Sequence, residues 1–202
     1  MIAIITSKDD SHADSVIRYL SERGRDVFRI NSEDIGCRYT TNLRISARSA
    51  WTGCLNDEVG RQLDLHTLKV AWFRKPSFEF DLGRAFEPEV NRYVCSELKS
   101  LIDTIYSLPS IVWINNPYTS NSAKSKFQQL ILARSLGLQV PKTLITNDPV
   151  QARAFFQECH ERVLIKAIYS ANITINGMNR GIPSAIVSPE KFHEFADGIS
   201  VF

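Results

Sequence analysis

The sequence lacks the glycine-rich loops that hold nucleotide phosphates in two large classes of protein. Neither G-x-x-x-x-G-K-S/T nor G-x-G-x-x-G occurs around any of its nine glycines. The loop over residues 6–10, which follows the first apolar run, contains two carboxylates and no glycine. Such a loop makes a poor cradle for an anion. These absences exclude a Walker-type nucleotidase and a dinucleotide-binding enzyme with the usual fingerprint.

Cysteine and histidine are too scattered for a metal centre. The chain has four of each and no C-x-x-C pair, which favours reduced, partly buried thiols in a cytosolic protein. Met1 leads directly into the apolar run 2–5 without a basic region, so this run predicts a strand rather than a signal peptide. No apolar stretch approaches the roughly 20 residues of a membrane span. We therefore expect a cytoplasmic protein with no membrane partner.

Acidic residues are absent from one long segment of the chain. The formal net charge is only +2, yet no Asp or Glu occurs between Asp103 and Asp148. A locally positive segment on a nearly neutral protein suits a small anionic ligand better than a nucleic acid. The alternative is a solvated helix face. The basic residues in this segment are Lys124, Lys126, Arg134 and Lys142.

Short apolar runs that alternate with amphipathic stretches predict an α/β fold that begins with a Rossmann-like domain. Residues 2–6 have the continuous apolar pattern of a strand buried in a parallel sheet, and residues 26–31 predict a second strand. Between them, Ser11 and Asp14 form a capping-box signal for a helix that ends near Gly24. The pattern continues with short strands over 36–65, the first of which alternates as a half-exposed strand does. A buried strand over 69–74, a long helix over 87–108 and a buried strand over 111–114 follow.

A turn signal at residues 115–118 predicts a domain boundary, with a first domain over 1–116 and a second over 117–202. The apolar pattern of the final residues, 199–202, is that of a strand, and natural chain ends are usually polar. We therefore expect the sequence to stop within a domain. The second domain is predicted to contain a helix from Asn121 or Ser122 to Leu136, a strand over 142–146, a helix over 149–159, a strand over 162–168 and a helix over 189–196.

Two lysines and two residues near predicted strand ends are candidates for ligand binding. Lys166 ends an apolar strand, where an ammonium group needs an anionic partner unless it reaches solvent at the strand end. Lys126 lies near the start of the helix that precedes Gly137. Arg74 and Asn116 lie where open α/β sheets bind ligands, so they are candidates for an interdomain cleft. For Arg74, pairing with a structural carboxylate is the alternative.

Residues 116–149 resemble ATP-grasp ligases, and in particular the maturases that form microviridin-type (graspetide) lactone and lactam crosslinks in ribosomal peptides. The phrases that carry this resemblance are N-P at 116–117, L-G-L at 136–138 and V-P-K-T-L-I-T-N-D-P at 140–149. The phrases I-I-T-S at 4–7 and W-F-R-K-P at 72–76 are similar to the pre-ATP-grasp domain of the same family. The resemblance implies a pre-ATP-grasp domain followed by a partial α+β ATP-grasp lobe that stops before the C-terminal lobe.

The resemblance also implies the cofactors ATP and Mg²⁺ and a precursor peptide as substrate, with a homodimer left open. It implies that Lys126 and Lys166 contact the nucleotide phosphates. Lys124 is a rival for the first role, but on one continuous helix it would lie about 200° from Lys126. When the sequence is aligned with the family at Gly137, Lys126 rather than Lys124 takes the position of the lysine that contacts phosphate.

Two departures from the family pattern leave an alternative open. The loop over 167–172 has no glycine, and the only acids after Lys166 are Glu190, Glu194 and Asp197 on one predicted helix. The family places its metal ligands beyond a segment like 199–202. The alternative is a non-catalytic homologue that binds a peptide or another partner. A receiver-type domain, suggested by two aspartates after the first strand, also requires an Asp at the end of a third strand, which we do not find.

Overall fold

The structure, a computed structural model, describes residues 1–47, 49–168, 172–175, 178–181 and 184–192. The chain divides into two compact units, Met1–Asn121 and Ser122–Phe202. The predicted α/β fold is confirmed, because a parallel sheet and helices build the first unit. The domain boundary after residue 116 stays a prediction.

The first unit is built on a parallel sheet and a second, antiparallel sheet. A 3-10 helix over Ser32–Gly36 follows β2. The other elements of the unit are β1 (Ile2–Thr6), α1 (Ser11–Ser21), β2 (Val27–Asn31), β3 (Tyr39–Ser46), β4 (Ser49–Asp57), β5 (Gln62–Asp64), β6 (Val70–Lys75), α2 (Pro88–Tyr106), β7 (Val112–Ile114) and α3 (Pro117–Ser122), whose last residue belongs to the second unit.

The parallel sheet has the strand order β2-β1-β6-β7, and both of its faces are covered. Successive side chains of a strand point to opposite faces, so Ile4 packs with Ala13 of α1, while Ala3 and Ile5 pack in a larger cluster with Ile102 of α2. A strand buried on both faces needs a continuous apolar run. The strands predicted over 2–6, 26–31 and 69–74 are confirmed as β1, β2 and β6. The strand predicted over 111–114 also forms, as β7, but the expectation that it is buried was wrong, because Val112 and Ile114 are exposed at the edge of the sheet.

The antiparallel sheet has the order β3-β4-β5. Leu55 of β4 and Leu63 of β5 are paired in register and fully buried in the larger cluster. Gly53 lies beneath Leu43, whose Cδ2 would be 2.7 Å from a Cβ atom at that position, so any larger residue there would displace Leu43. This sheet corresponds to the short strands predicted over 36–65.

Helix α1 is capped by Asp10, and the prediction that Ser11 begins the cap was wrong. Oδ1 of Asp10 accepts hydrogen bonds from the backbone N–H groups of His12 and Ala13. Oδ2 accepts a hydrogen bond of 2.6 Å from the Thr6 hydroxyl and lies 3.6 Å from Nε of Arg74. Burial alone would raise the pKa of Asp10, but the hydrogen bonds and the Arg74 guanidinium together lower it below its ordinary value.

We expect the charge of Asp10 to stabilise the first unit in a pH-dependent way. Because its pKa is lower in the folded state, the contribution is present above about pH 4, the unfolded value, and is lost as the pH falls through the folded pKa. Asp10→Asn should therefore cost about 1–2 kcal/mol at pH 7 and progressively less below pH 4. Urea unfolding at several pH values, with the exposed neighbour Asp9→Asn as control, measures this difference. A cost that is independent of pH would contradict the assignment.

The second unit contains smaller elements around its own apolar cluster. Phe156 of the second unit is fully buried and stacks on Phe192, with ring centroids 4.0 Å apart and 5° between the planes. Residues 189–192 are helical, and the rest of the helix predicted to 196 and the strand predicted over 199–202 lie outside the described residues. The other elements are α4 (Lys126–Ser135), α5 (Pro149–Glu158), β8 (Leu164–Ile165), β9 (Asn172–Ile175), β10 (Met178–Gly181) and β11 (Ala185–Ile186).

Three predictions for the second unit were wrong in detail. The helix expected from residue 121 or 122 to Leu136 is two helices, α3 and α4, because Ser125 adopts an extended conformation and caps α4. Residues 141–146, all of them described, form no strand. The strand expected over 162–168 is only the two residues of β8, and Leu164 is 52% exposed; among the residues that the structure describes, β8 pairs with β11 alone.

Across the described part of the chain, we find no helix whose length and apolar character would let it cross a membrane.

Candidate functional site

The second unit contains a cavity of about 550 Å³ with a cationic and apolar wall. The cations are Lys126, Lys142, Arg162 and Lys166, and no Asp or Glu is among the described residues of the wall. Such a cavity offers apolar contact and positive charge, the combination that a ligand with a ring system and an anionic group requires. The apolar part is formed by Leu130, Pro141, Leu144, Ile145, Phe155, Val163, Leu164 and Ile168.

Lys126 is the first residue of α4, and its side chain is half-buried. Ser125 caps the helix by accepting a hydrogen bond from the backbone N–H of Gln128. The Lys126 ammonium donates a hydrogen bond of 2.7 Å to the carbonyl oxygen of Ile168. This bond ties the start of α4 to the segment just after Lys166. Because an ammonium group has three donors, two remain for other partners.

Lys166 directly follows β8 and lines the same cavity. It is exposed, which is the alternative considered from the sequence, a lysine that reaches solvent at the strand end. Within the described ranges it makes no hydrogen bond or ion pair. The two lysines predicted from the sequence therefore lie on one wall, with Lys166 accessible and Lys126 anchored.

Two other lysines of the acid-free segment, Lys124 and Lys142, differ in their position relative to the cavity. Lys124 lies in the turn before α4 rather than on it, so the argument from its angle around a common helix does not apply. It is not among the described residues of the cavity wall. Lys142 does line the cavity, but its ammonium lies 2.7 Å from Glu158, and this hydrogen bond and charge raise the pKa of Lys142. Its charge is thus partly neutralised.

Sequence reasoning did not assign Lys142 or Arg162 to this site. Lys142 was visible within the acid-free segment, but the irregular conformation of residues 141–146 that brings it to the cavity was not predicted. Arg162 follows α5, and no motif in the sequence marks it. Lys142 and Arg162 both contribute positive charge to the cavity wall, and no motif or residue spacing in the sequence predicted that they would lie there.

Arg74 and Asn116 have local structural roles in the first unit. Arg74 lies at the end of β6 with its Nε atom 3.6 Å from the buried carboxylate of Asp10. This is the alternative considered from the sequence. The side-chain oxygen of Asn116 accepts hydrogen bonds from the backbone N–H groups of Tyr118 and Thr119, which caps α3. Their assignment to a cleft stays a prediction.

Near the carboxyl end of β1 in the parallel sheet, charged side chains pair with one another. Lys8 follows β1, and its ammonium lies 2.6 Å from the buried carboxylate of Asp34 and 3.8 Å from Asp81. Asp34, Cys37 and Asp81 form the one cluster of potential metal ligands among the residues the structure describes. The Lys8 ammonium pairs with both acids and the Arg38 guanidinium lies 3.7 Å from Asp34, so two side-chain cations already occupy the place where a divalent cation would bind.

A parallel sheet without a phosphate loop, together with a second unit that has a cation-lined cavity, defines the chain as an α/β protein. The family model of the MvdD pre-ATP-grasp domain matches residues 1–121. The chain belongs to this family, and the resemblance to graspetide-type ligases stated from the sequence is confirmed. Among curated proteins no sequence match is found.

Solved structures with this fold include two macrocyclases and an ATP-grasp ligase. The macrocyclase MdnC from Microcystis aeruginosa MRC, bound to the precursor peptide MdnA, has a TM-score of 0.89 and 20% identity over 99% of this chain and 65% of its own. An ATP-grasp ligase associated with ribosomal peptides in Chryseobacterium gregarium, in complex with ADP and a leader and core peptide, has a TM-score of 0.84 and 21% identity over 100% of this chain and 60% of its own.

The third is the macrocyclase MdnB from Microcystis aeruginosa MRC, with a TM-score of 0.74 and 20% identity over 95% of this chain and 64% of its own. The present chain thus spans less than two thirds of the length of each of these proteins. At this level of identity the likeness shows the fold alone.

Proposed function

We propose that this chain forms the pre-ATP-grasp domain and the first nucleotide-binding lobe of an ATP-grasp ligase. The ligase would activate side-chain carboxylates of a ribosomal precursor peptide as acyl phosphates for capture by a hydroxyl or an amine. The family match supports this proposal, as do neighbours that are described in complex with precursor peptides or ADP.

The observation that carries the proposal is that Lys126 and Lys166 lie on the wall of one cavity. Ammonium groups from a helix start and from a strand end can neutralise neighbouring phosphates as point charges. The N-terminus of α4 adds a positive dipole end beside Lys126. The absence of acids from the described wall removes the repulsion that a phosphate would meet elsewhere on the chain.

The described wall does not fit the magnesium that the proposed reaction needs. Mg²⁺ is held by carboxylate and other oxygen ligands, and no carboxylate is among the described residues of the cavity. We therefore assign no metal-dependent step to these residues. The proposal for this chain is limited to nucleotide binding through the phosphates.

Calorimetric titration of the chain with ADP and with adenosine tests the proposal. If the cations bind phosphates, we expect ADP to bind at least about tenfold more tightly than adenosine, because hydrogen bonds to charged groups contribute about 1.5–3 kcal/mol each. The difference should decrease as salt is added. Equal affinities would contradict the phosphate site.

The alternative is a non-catalytic homologue that retains only a peptide-binding surface. The lack of a carboxylate in the described cavity wall favours it. In this case neither ADP nor adenosine should give measurable heat. The same titration therefore separates the two functions.

A further inference from the structure

Among the described cations of the cavity wall in the second unit, only Lys142 forms an ion pair. Its ammonium lies 2.7 Å from the carboxylate of Glu158, which is the last residue of α5. Within the described ranges, the side chains of Lys166 and Arg162 on the same wall make no hydrogen bond or ion pair. An anionic ligand would therefore have to compete for Lys142 with a group of the protein itself.

Glu158 lies beside the cavity without being one of the described residues of its wall. Its helical neighbours Phe155 and Cys159 both line the cavity. A carboxylate in the last turn of a helix meets the negative end of the helix dipole, so it is disfavoured there unless a cation is close by. Lys142 supplies that cation when no ligand is bound.

The ion pair between Lys142 and Glu158 is weak enough to open. The two side chains are 66% and 57% exposed, and exposed ion pairs contribute little because water solvates both charges and salt screens them. A lysine side chain is long and flexible, so its ammonium can turn toward the cavity without a movement of the backbone. Water can then solvate the released carboxylate.

We propose that Lys142 exchanges Glu158 for a phosphate of a bound nucleotide, so that Glu158 acts as an internal competitor of the ligand. This inference rests on the proposed nucleotide site and concerns its selectivity. A terminal phosphate carries more charge than a carboxylate and offers three acceptor oxygens, which favours the exchange. A neutral ligand such as adenosine provides no replacement partner and leaves the ion pair closed. Glu158 thus keeps Lys142 away from weakly charged ligands.

Calorimetric titration of Glu158→Gln tests the exchange. Because an opposite charge no longer holds Lys142 before the ligand arrives, ADP should bind about two- to fivefold more tightly than to the native chain. The affinity for adenosine should be unchanged, and added salt should reduce the gain for ADP. Glu161→Gln is the matched control, since it removes the same charge three residues later, where the partner is the neutral side chain of Gln157. This variant should bind ADP with the native affinity.

A double substitution shows whether Glu158 acts through Lys142. If the two groups exchange, Glu158→Gln should no longer strengthen ADP binding in a chain that also carries Lys142→Ala. A gain that persists without Lys142 would mean that Glu158 only repels the ligand, and the exchange would be wrong.

The titrations distinguish a failure of this inference from a failure of the nucleotide site. Equal binding of ADP and adenosine to the native chain would contradict the phosphate site and the exchange together. A native chain that prefers ADP, but shows no gain in Glu158→Gln, would overturn the exchange alone.

Discussion

Replacing Lys166 by alanine is expected to weaken ADP binding about 10- to 100-fold. The estimate follows from the loss of one charge-assisted contact of about 1.5–3 kcal/mol. Lys166 is exposed and, within the described ranges, makes no hydrogen bond or ion pair, so its removal should leave the melting temperature unchanged. Isothermal titration with ADP, together with thermal unfolding, measures both quantities.

Lys126→Ala should weaken ADP binding to a similar extent but should also loosen the segment after β8. Its ammonium donates to the carbonyl of Ile168, which would lose this partner. Lys124→Ala is the matched control. It removes the same charge only two residues before Lys126, but Lys124 lies in a turn and is not part of the described cavity wall. The site assignment fails if all three variants bind ADP with the native affinity.

Phe156→Ala should be the most damaging single substitution in the second unit. Phe156 is fully buried, stacks on Phe192 and belongs to a cluster whose other buried members, in the described part of the unit, are Ala152 and Phe192. Truncation of a buried phenylalanine lowers the free energy of unfolding by about 3–5 kcal/mol. A unit with so small a core should unfold after such a loss. Because the neighbouring Phe155 lines the cavity, ADP binding should be lost together with the fold of the unit.

In differential scanning calorimetry of Phe156→Ala, the unfolding transition of the second unit should move to a lower temperature than in the native chain or disappear. The transition of the first unit should be unchanged. Val150→Ala is the control on the same helix, since Val150 is 65% exposed and its truncation should change the unfolding free energy by less than about 0.5 kcal/mol. A loss of stability that is equal in the two variants would contradict the role assigned to this cluster.

The strands of the parallel sheet could be predicted because the signal for each of them lies within a short stretch of the sequence. A strand buried on both faces needs a continuous apolar run, and residues 2–5 and 70–73 show that run in the sequence. The cap of α1 was less certain, since Asp10 and Ser11 are both good cap residues. The choice between them depends on Thr6 and Arg74, whose contacts with Asp10 form only in the folded sheet.

The second unit was predicted less well because its elements are short and weakly patterned. Ser125 interrupts the helix after residue 117, although the surrounding residues all tolerate a helix. The apolar residues Leu144 and Ile145 suggested a strand, but a short apolar run cannot distinguish a strand from an irregular segment that lines a cavity. Tertiary contacts decide such cases.

The candidate site was only partly visible in the sequence. The acid-free segment and the family resemblance both pointed to Lys126, and the resemblance pointed to Lys166. The hydrogen bond from Lys126 to Ile168, which brings the two lysines together, spans 42 residues and depends on the packing of the unit. Arg162 joins the wall through the same packing, so no local pattern could reveal it.

The most direct measurement of the central idea is lysine acetylation followed by mass spectrometry, with and without ADP. If both ammonium groups contact the phosphates, ADP should slow the acetylation of Lys126 and Lys166 and leave Lys124 unchanged. Acetylation of Lys126 and Lys166 that proceeds at the same rate with saturating ADP would contradict a shared phosphate site.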